Sequence, residues 1–140
     1  MVDLEERTLP AGAVDEINRA WCAYKRGYIS ETDLILLWLD ATAQAEGSEL
    51  HPGWTISPGE LFRYVRAGAC DCGDEQELER RGLGWLTGAL EGARRRQLIG
   101  VDGQEITVVS AANGALRGAL RGARARSGTG PLRRRFRPAA

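Results

Sequence analysis

With 140 residues, 43% of them hydrophobic, the chain is one domain in length and can bury a core without disulfide or metal staples. Its formal net charge of zero hides a division: residues 1–105 hold all 19 acids and 11 of the 19 Lys and Arg, so that part stands at −8 and residues 106–140 at +8. No apolar run approaches the ~20 residues of a membrane span, and the acidic start Met1-Val2-Asp3-Leu4-Glu5-Glu6 lacks the basic-then-apolar order of a secretory signal. The expectation is a cytoplasmic protein with no membrane contact.

Taken in chain order, residues 1–10 read as a frayed lead. In residues 13–26, Val14, Ile17, Trp21 and Tyr24 recur on one helical face, and Gly27 is a natural stop. Ser30-Glu31-Thr32-Asp33 opens a second helix with a start like a capping box, aspartate standing for glutamate. Leu34, Ile35, Leu36, Leu37, Trp38 and Leu39 make that helix apolar all round, which places it at the centre of a core or an interface. Gly47 ends it, and residues 47–56, with Pro52 and Gly53, read as a loop carrying His51 and Trp54.

Ser57-Pro58-Gly59-Glu60 starts a short helix with a capping serine, proline at the first helical position and glutamate at the third, and Gly68 closes it. Cys70-Asp71-Cys72-Gly73 reads as a turn. Residues 74–97 are helical, broken by Gly82 and Gly84, with Leu86, Leu90 and Ala93 on the core face. Asp102-Gly103 between two β-branched runs signals a hairpin. Ser110 can cap a last helix near residues 111–124, and from Ser127 onward Gly, Pro and Arg without periodicity read as a flexible tail.

The order of short helix, turn, helix and hairpin over residues 57–110 resembles the winged helix-turn-helix domains. The resemblance is carried by Leu86 to Ile99, a helix whose basic end runs into Leu98-Ile99, and by the hairpin that follows. It implies a recognition helix at residues 84–97, with Arg94, Arg95 and Arg96 at its end, and a wing whose tip is Asp102-Gly103. The fold class expected is therefore mainly α with one β-hairpin: a winged-helix-like acidic body over residues 11–110, then a basic helix and tail over residues 111–140.

Arg117, Arg121 and Arg124 fall at i, i+4 and i+7, one stripe of a helix, while Leu116 and Leu120 occupy a neighbouring face that can dock on the body. The expectation is that the leucine side packs and the arginine stripe stays exposed. Arg133, Arg134, Arg135 and Arg137 form a dense cluster around Phe136, suited to phosphate pairing with a ring contact. Every cation except Lys25 is arginine; that suits bidentate phosphate contacts, and a GC-rich coding sequence produces it too. The expectation this charge favours is a non-enzymatic nucleic-acid-binding protein, regulatory or replication-associated, that holds DNA or RNA through its arginine-rich C-terminal segment. The alternative is a protein-interaction module, such as an assembly or inhibitory factor of a mobile element, docking through the acidic or apolar body.

Nothing in the sequence calls for catalysis, a cofactor or a metal. One histidine, His51, gives no evident triad, and no phosphate-binding or dinucleotide fingerprint occurs. Cys22, Cys70 and Cys72 are an odd set without zinc-ribbon spacing and read as reduced thiols. Glycine recurs every fourth residue in both 84–92 and 114–122, costly in a helix at about 1 kcal/mol each unless something approaches the backbone closely.

Overall fold

The structure, a computed structural model, describes residues 11–69, 75–102, 104–109 and 113–128. The elements are α1 (Ala11–Lys25), α2 (Glu31–Ala45), β1 (Thr55–Ile56), α3 (Pro58–Ala69), α4 (Glu75–Arg95), β2 (Ile99–Asp102), β3 (Glu105–Val108) and α5 (Asn113–Ser127). The expected lead over residues 1–10, the Cys70 to Gly73 turn, the Ser110 cap and the tail carrying Arg133, Arg134, Arg135 and Arg137 lie outside the described residues.

The all-apolar helix is the axis of the core. Its start is a capping box, Ser30 Oγ accepting from the Asp33 N–H at 3.1 Å and Asp33 Oδ2 from the Ser30 N–H at 3.3 Å. From Asp33 to Ala43 every residue of α2 is buried, because α1, α3, α4 and α5 all pack on it. Trp38 inside this shell donates its Nε1–H to the Ile17 carbonyl at 3.3 Å, so the indole is buried without an orphaned donor. Ser57 caps α3 as its sequence requires, accepting from the Glu60 N–H at 3.1 Å.

Of the two glycines expected to break α4, only Gly82 does so. It adopts φ 76° and ψ 175°, a region that only glycine occupies readily, and splits α4 into residues 75–81 and 83–95. Gly84 stays helical.

Three strands form one antiparallel sheet in the order β1-β3-β2. Thr55 and Ile56, expected in a loop, pair with Thr107 and Ile106. Two residues are too short to show an alternation, so only the partner strand identifies them. The hairpin register also corrects the expected turn. Asp102 pairs with Glu105, so Asp102 belongs to β2 rather than to the turn. The observed register sets Ile99 against Val108 and Val101 against Ile106. A turn one residue earlier would set Val101 against Gln104 and leave Val108 without its apolar partner, so burial of one face selects the register.

The succession α2, β1, α3, α4, β2, β3 with that strand order is compatible with a winged-helix-like layout. Helix α1 precedes it and α5 follows, docking Leu116, Leu120 and Ala123 into the shared core.

The repeated glycines have different environments. A Cβ on Gly92 would collide with Thr32 Oγ1 at the start of α2, whereas Gly84, Gly88, Gly114 and Gly118 face open space. Gly88→Ala is therefore expected to stabilise the protein by up to about 1 kcal/mol, the helix-propensity gain. Gly92→Ala loses that gain to the collision and is expected to destabilise by about 1–2 kcal/mol. Paired urea denaturation curves of the two variants check the opposite signs.

Candidate functional site

The basic end of α4 runs directly into the hairpin, so Arg94, Arg95 and Arg96 stand where helix and hairpin meet. All three are exposed, but they are not equally free. Arg94 donates from Nε to Glu91 Oε1 at 2.9 Å, and Arg95 Nε lies 3.4 Å from Glu91 Oε2. The hydrogen bond from Arg94 holds the Glu91 carboxyl below its usual range. Arg96 has no ion pair among the described residues.

The helix ends on the Leu98 N–H, which donates to the Ala93 carbonyl at 3.0 Å, and the Gln97 N–H, which donates to the Arg94 carbonyl at 2.9 Å. These bonds turn the chain into β2 through Gln97 at φ 62°, the one positive φ of a non-glycine among the described residues. Beside this turn is an open groove of about 510 Å³, lined by Arg94, Arg96 and Gln97 from the helix end, by Ile99, Gly100 and Val101 of β2, and by Val109. Ala115 also lines it, so the start of α5 borders the same groove.

The expected arginine stripe on α5 is divided. Arg117 and Arg121 are exposed and have no ion pair among the described residues. Arg124 is half-buried and pairs with Asp40 of α2, and Arg126, which lies off the stripe, grips Asp33 from both Nε and Nη2 at 3.0 Å each. The expectation that the whole stripe stays exposed is thus corrected. At about 100° per residue, Arg124 lies only about 40° from Leu120, close enough to the buried face for a long side chain to reach Asp40.

Asp33 and Asp40 are buried charges, and α5 supplies their counter-ions. Burial pushes the Asp40 carboxyl up, although Arg124 and the Gln44 amide pull it down. Burial and then the neighbouring Asp40 also raise Glu16 of α1. The basic helix is therefore bound to the acidic body in cis through its last two arginines.

An aromatic cluster sets the angle of residues 83–95. Arg81, immediately before the Gly82 break, holds its guanidinium 5.1 Å from the Trp85 ring centroid, 5.4 Å from Trp21 and 6.0 Å from Tyr24, and donates to Glu77 at 3.0 Å. Glu31 Oε2 accepts from both the Tyr24 hydroxyl and the Trp85 Nε1–H at 3.2 Å. Both halves of α4 are thereby pinned to α1 and α2. Beyond this cluster the outer face of α4 presents Leu83, 43% exposed, with Gly84, Thr87 and Gly88.

Sequence reasoning missed Gln97, Asp33 and Asp40 as site residues. The capping motif gave Asp33 a local role only, and a helical wheel says nothing of partners more than eighty residues away. Comparison of the chain with protein-family models, with curated proteins and with solved structures returned no match.

Proposed function

We propose that the protein is a non-enzymatic nucleic-acid-binding protein of winged-helix type. Its contacts would come from Arg94, Arg95 and Arg96 at the junction of α4 and the wing, extended by Arg117 and Arg121 and by the arginine cluster 133–137. One observation carries the reading: the basic end of α4, the hairpin and the start of α5 all line a single groove, with Arg94 and Arg96 among its lining residues. Phosphate binding needs cations held on rigid elements at one surface, and a helix end joined to a paired strand supplies that.

The test is fluorescence anisotropy with duplex DNA, single-stranded DNA and RNA across a salt series. Replacing Arg94, Arg95 and Arg96 together by alanine is expected to weaken binding by at least about tenfold at low salt and to flatten the log–log salt slope by up to about 2.7, at roughly 0.9 per phosphate. Unchanged binding by this variant would remove the reading.

The outer face of α4 favours a second one. A helix that reads base edges presents side-chain donors, whereas this face presents Leu83, two glycines and Thr87, whose hydroxyl donates to the Leu83 carbonyl at 3.0 Å. A smooth face of that kind suits another helix. A protein-interaction module docking there is the alternative, and co-purification of a nuclease-resistant protein partner, lost in Gly88→Arg, would establish it.

A further inference from the structure

Gln97 occupies a backbone position that chemistry assigns to another residue. The residue after a helix end in the left-handed region is usually glycine and sometimes asparagine, because a Cβ is unfavourable there. The chain contains 18 glycines and places them at the other left-handed positions of the described residues, among them Gly27 at φ 83° and Gly47 at φ 79° after α1 and α2. At the end of α4 it carries instead a glutamine, exposed and lining the groove. Strain held at one exposed position calls for a use of the side chain.

The groove shows what that use is. Its volume of about 510 Å³ lies in the range of small-ligand pockets, ~300–1,000 Å³. Its lining combines the aliphatic Ile99, Val101, Val109 and Ala115 with two arginines and one glutamine. A paired duplex offers aliphatic side chains nothing, since its apolar base faces are stacked inside. An unpaired nucleotide offers them a flat apolar face, a hydrogen-bonding edge for the Gln97 carboxamide, which can both donate and accept, and flanking phosphates for Arg94 and Arg96. Guanidinium planes also accept stacked bases.

We propose that the groove between the end of α4, the wing and the start of α5 is a pocket for one unpaired nucleotide. Gln97 hydrogen-bonds the base edge, Val101 and Val109 support its face, and Arg94 and Arg96 hold the phosphates on either side. This rests on the nucleic-acid reading above and narrows it to single strands or duplexes with an unpaired end.

The full chain is titrated by anisotropy, at one salt concentration, with a labelled single-stranded DNA of about 12 nucleotides, within the span of known single-strand sites, and with the blunt duplex of the same sequence. The single strand is expected to bind about tenfold more tightly, as one stacked base allows. Gln97→Gly is expected to weaken single-strand binding about fivefold or more, the loss of a base-edge contact, while leaving duplex binding unchanged and raising the melting temperature. Ala115→Trp, which fills the groove without altering charge, is expected to reduce single-strand binding alone.

Equal affinity for single strand and blunt duplex overturns the pocket and leaves the nucleic-acid reading standing. Absence of binding by either overturns both. If Gln97→Gly raises the melting temperature without altering single-strand affinity, Gln97 is only a strained cap. If an acidic polypeptide such as poly-glutamate binds more tightly than the single strand and is the ligand lost in Gln97→Gly, the groove takes a protein segment instead.

Discussion

Arg124→Ala is expected to destabilise the fold by about 2 kcal/mol at neutral pH and by much less near pH 4, because it strands a buried carboxylate that acid can neutralise. Asp40 is almost fully buried and its principal counter-ion is Arg124. Removing one partner of a buried pair typically costs about 3–5 kcal/mol; the value here is lower because Arg124 is partly solvated and Asp40 keeps its Gln44 hydrogen bond at 2.9 Å.

The pH dependence follows from the direction of the shift. Burial already places the folded Asp40 above its ordinary value, against the pull of Arg124, so the folded state holds this proton more tightly than the unfolded chain. The associated stability is complete below the ordinary carboxylate range and is lost as pH rises through the raised value. Taking away Arg124 moves Asp40 higher still, so the penalty opens above that value and closes below it. Urea denaturation at pH 7.5 and pH 4.5 measures the difference, and Asp40→Asn in the Arg124→Ala background is expected to restore most of the stability at pH 7.5. An equal loss at both pH values, or no rescue, would mean that Arg124 contributes packing rather than charge. Arg126→Ala is expected to cost less, since Asp33 keeps its capping bond to Ser30 and Arg126 is half-exposed.

This latch changes how the charge division of the sequence is understood. The +8 of residues 106–140 looked like a unit available to an external polyanion. Two of those eight cations instead pair with buried aspartates of α2, and α5 is as much a part of the body as it is a basic arm. What the sequence made legible was local: the Ser30 and Ser57 caps, the Gly82 break, the leucine face of α5 and the presence of a hairpin each depend on residues within a turn or two. What it left hidden was pairing at a distance. Thr55 and Ile56 become a strand only because β3 lies beside them, and Asp33 and Asp40 become counter-ions only because the end of α5 crosses α2. For the candidate site, Arg94, Arg95 and Arg96 were legible as a cluster and Gln97 was not, because nothing in a side chain announces that its backbone is left-handed.

Glu91→Gln is expected to tighten nucleic-acid binding by about three- to tenfold at low salt, an effect that fades as salt rises. Glu91 is partly exposed, about one turn before the end of α4, and engages Arg94 and Arg95 together. In that arrangement two of the three arginines at the junction are partly neutralised before any ligand arrives. A phosphate approaching them must displace a carboxylate or bind beside it, and either is unfavourable. The glutamine keeps the helix and the shape but removes the charge. The log–log salt slope is therefore expected to steepen by about 1–2, at roughly 0.9 for each phosphate newly neutralised, while thermal stability changes little, since exposed helix pairs contribute little to it. Anisotropy titrations of wild type and variant over a salt series give both numbers. Weaker binding by Glu91→Gln would carry the opposite meaning: the carboxylate and its two arginines would be recognised as a set, which a phosphate backbone has no means to do and the mixed charges of a protein partner have.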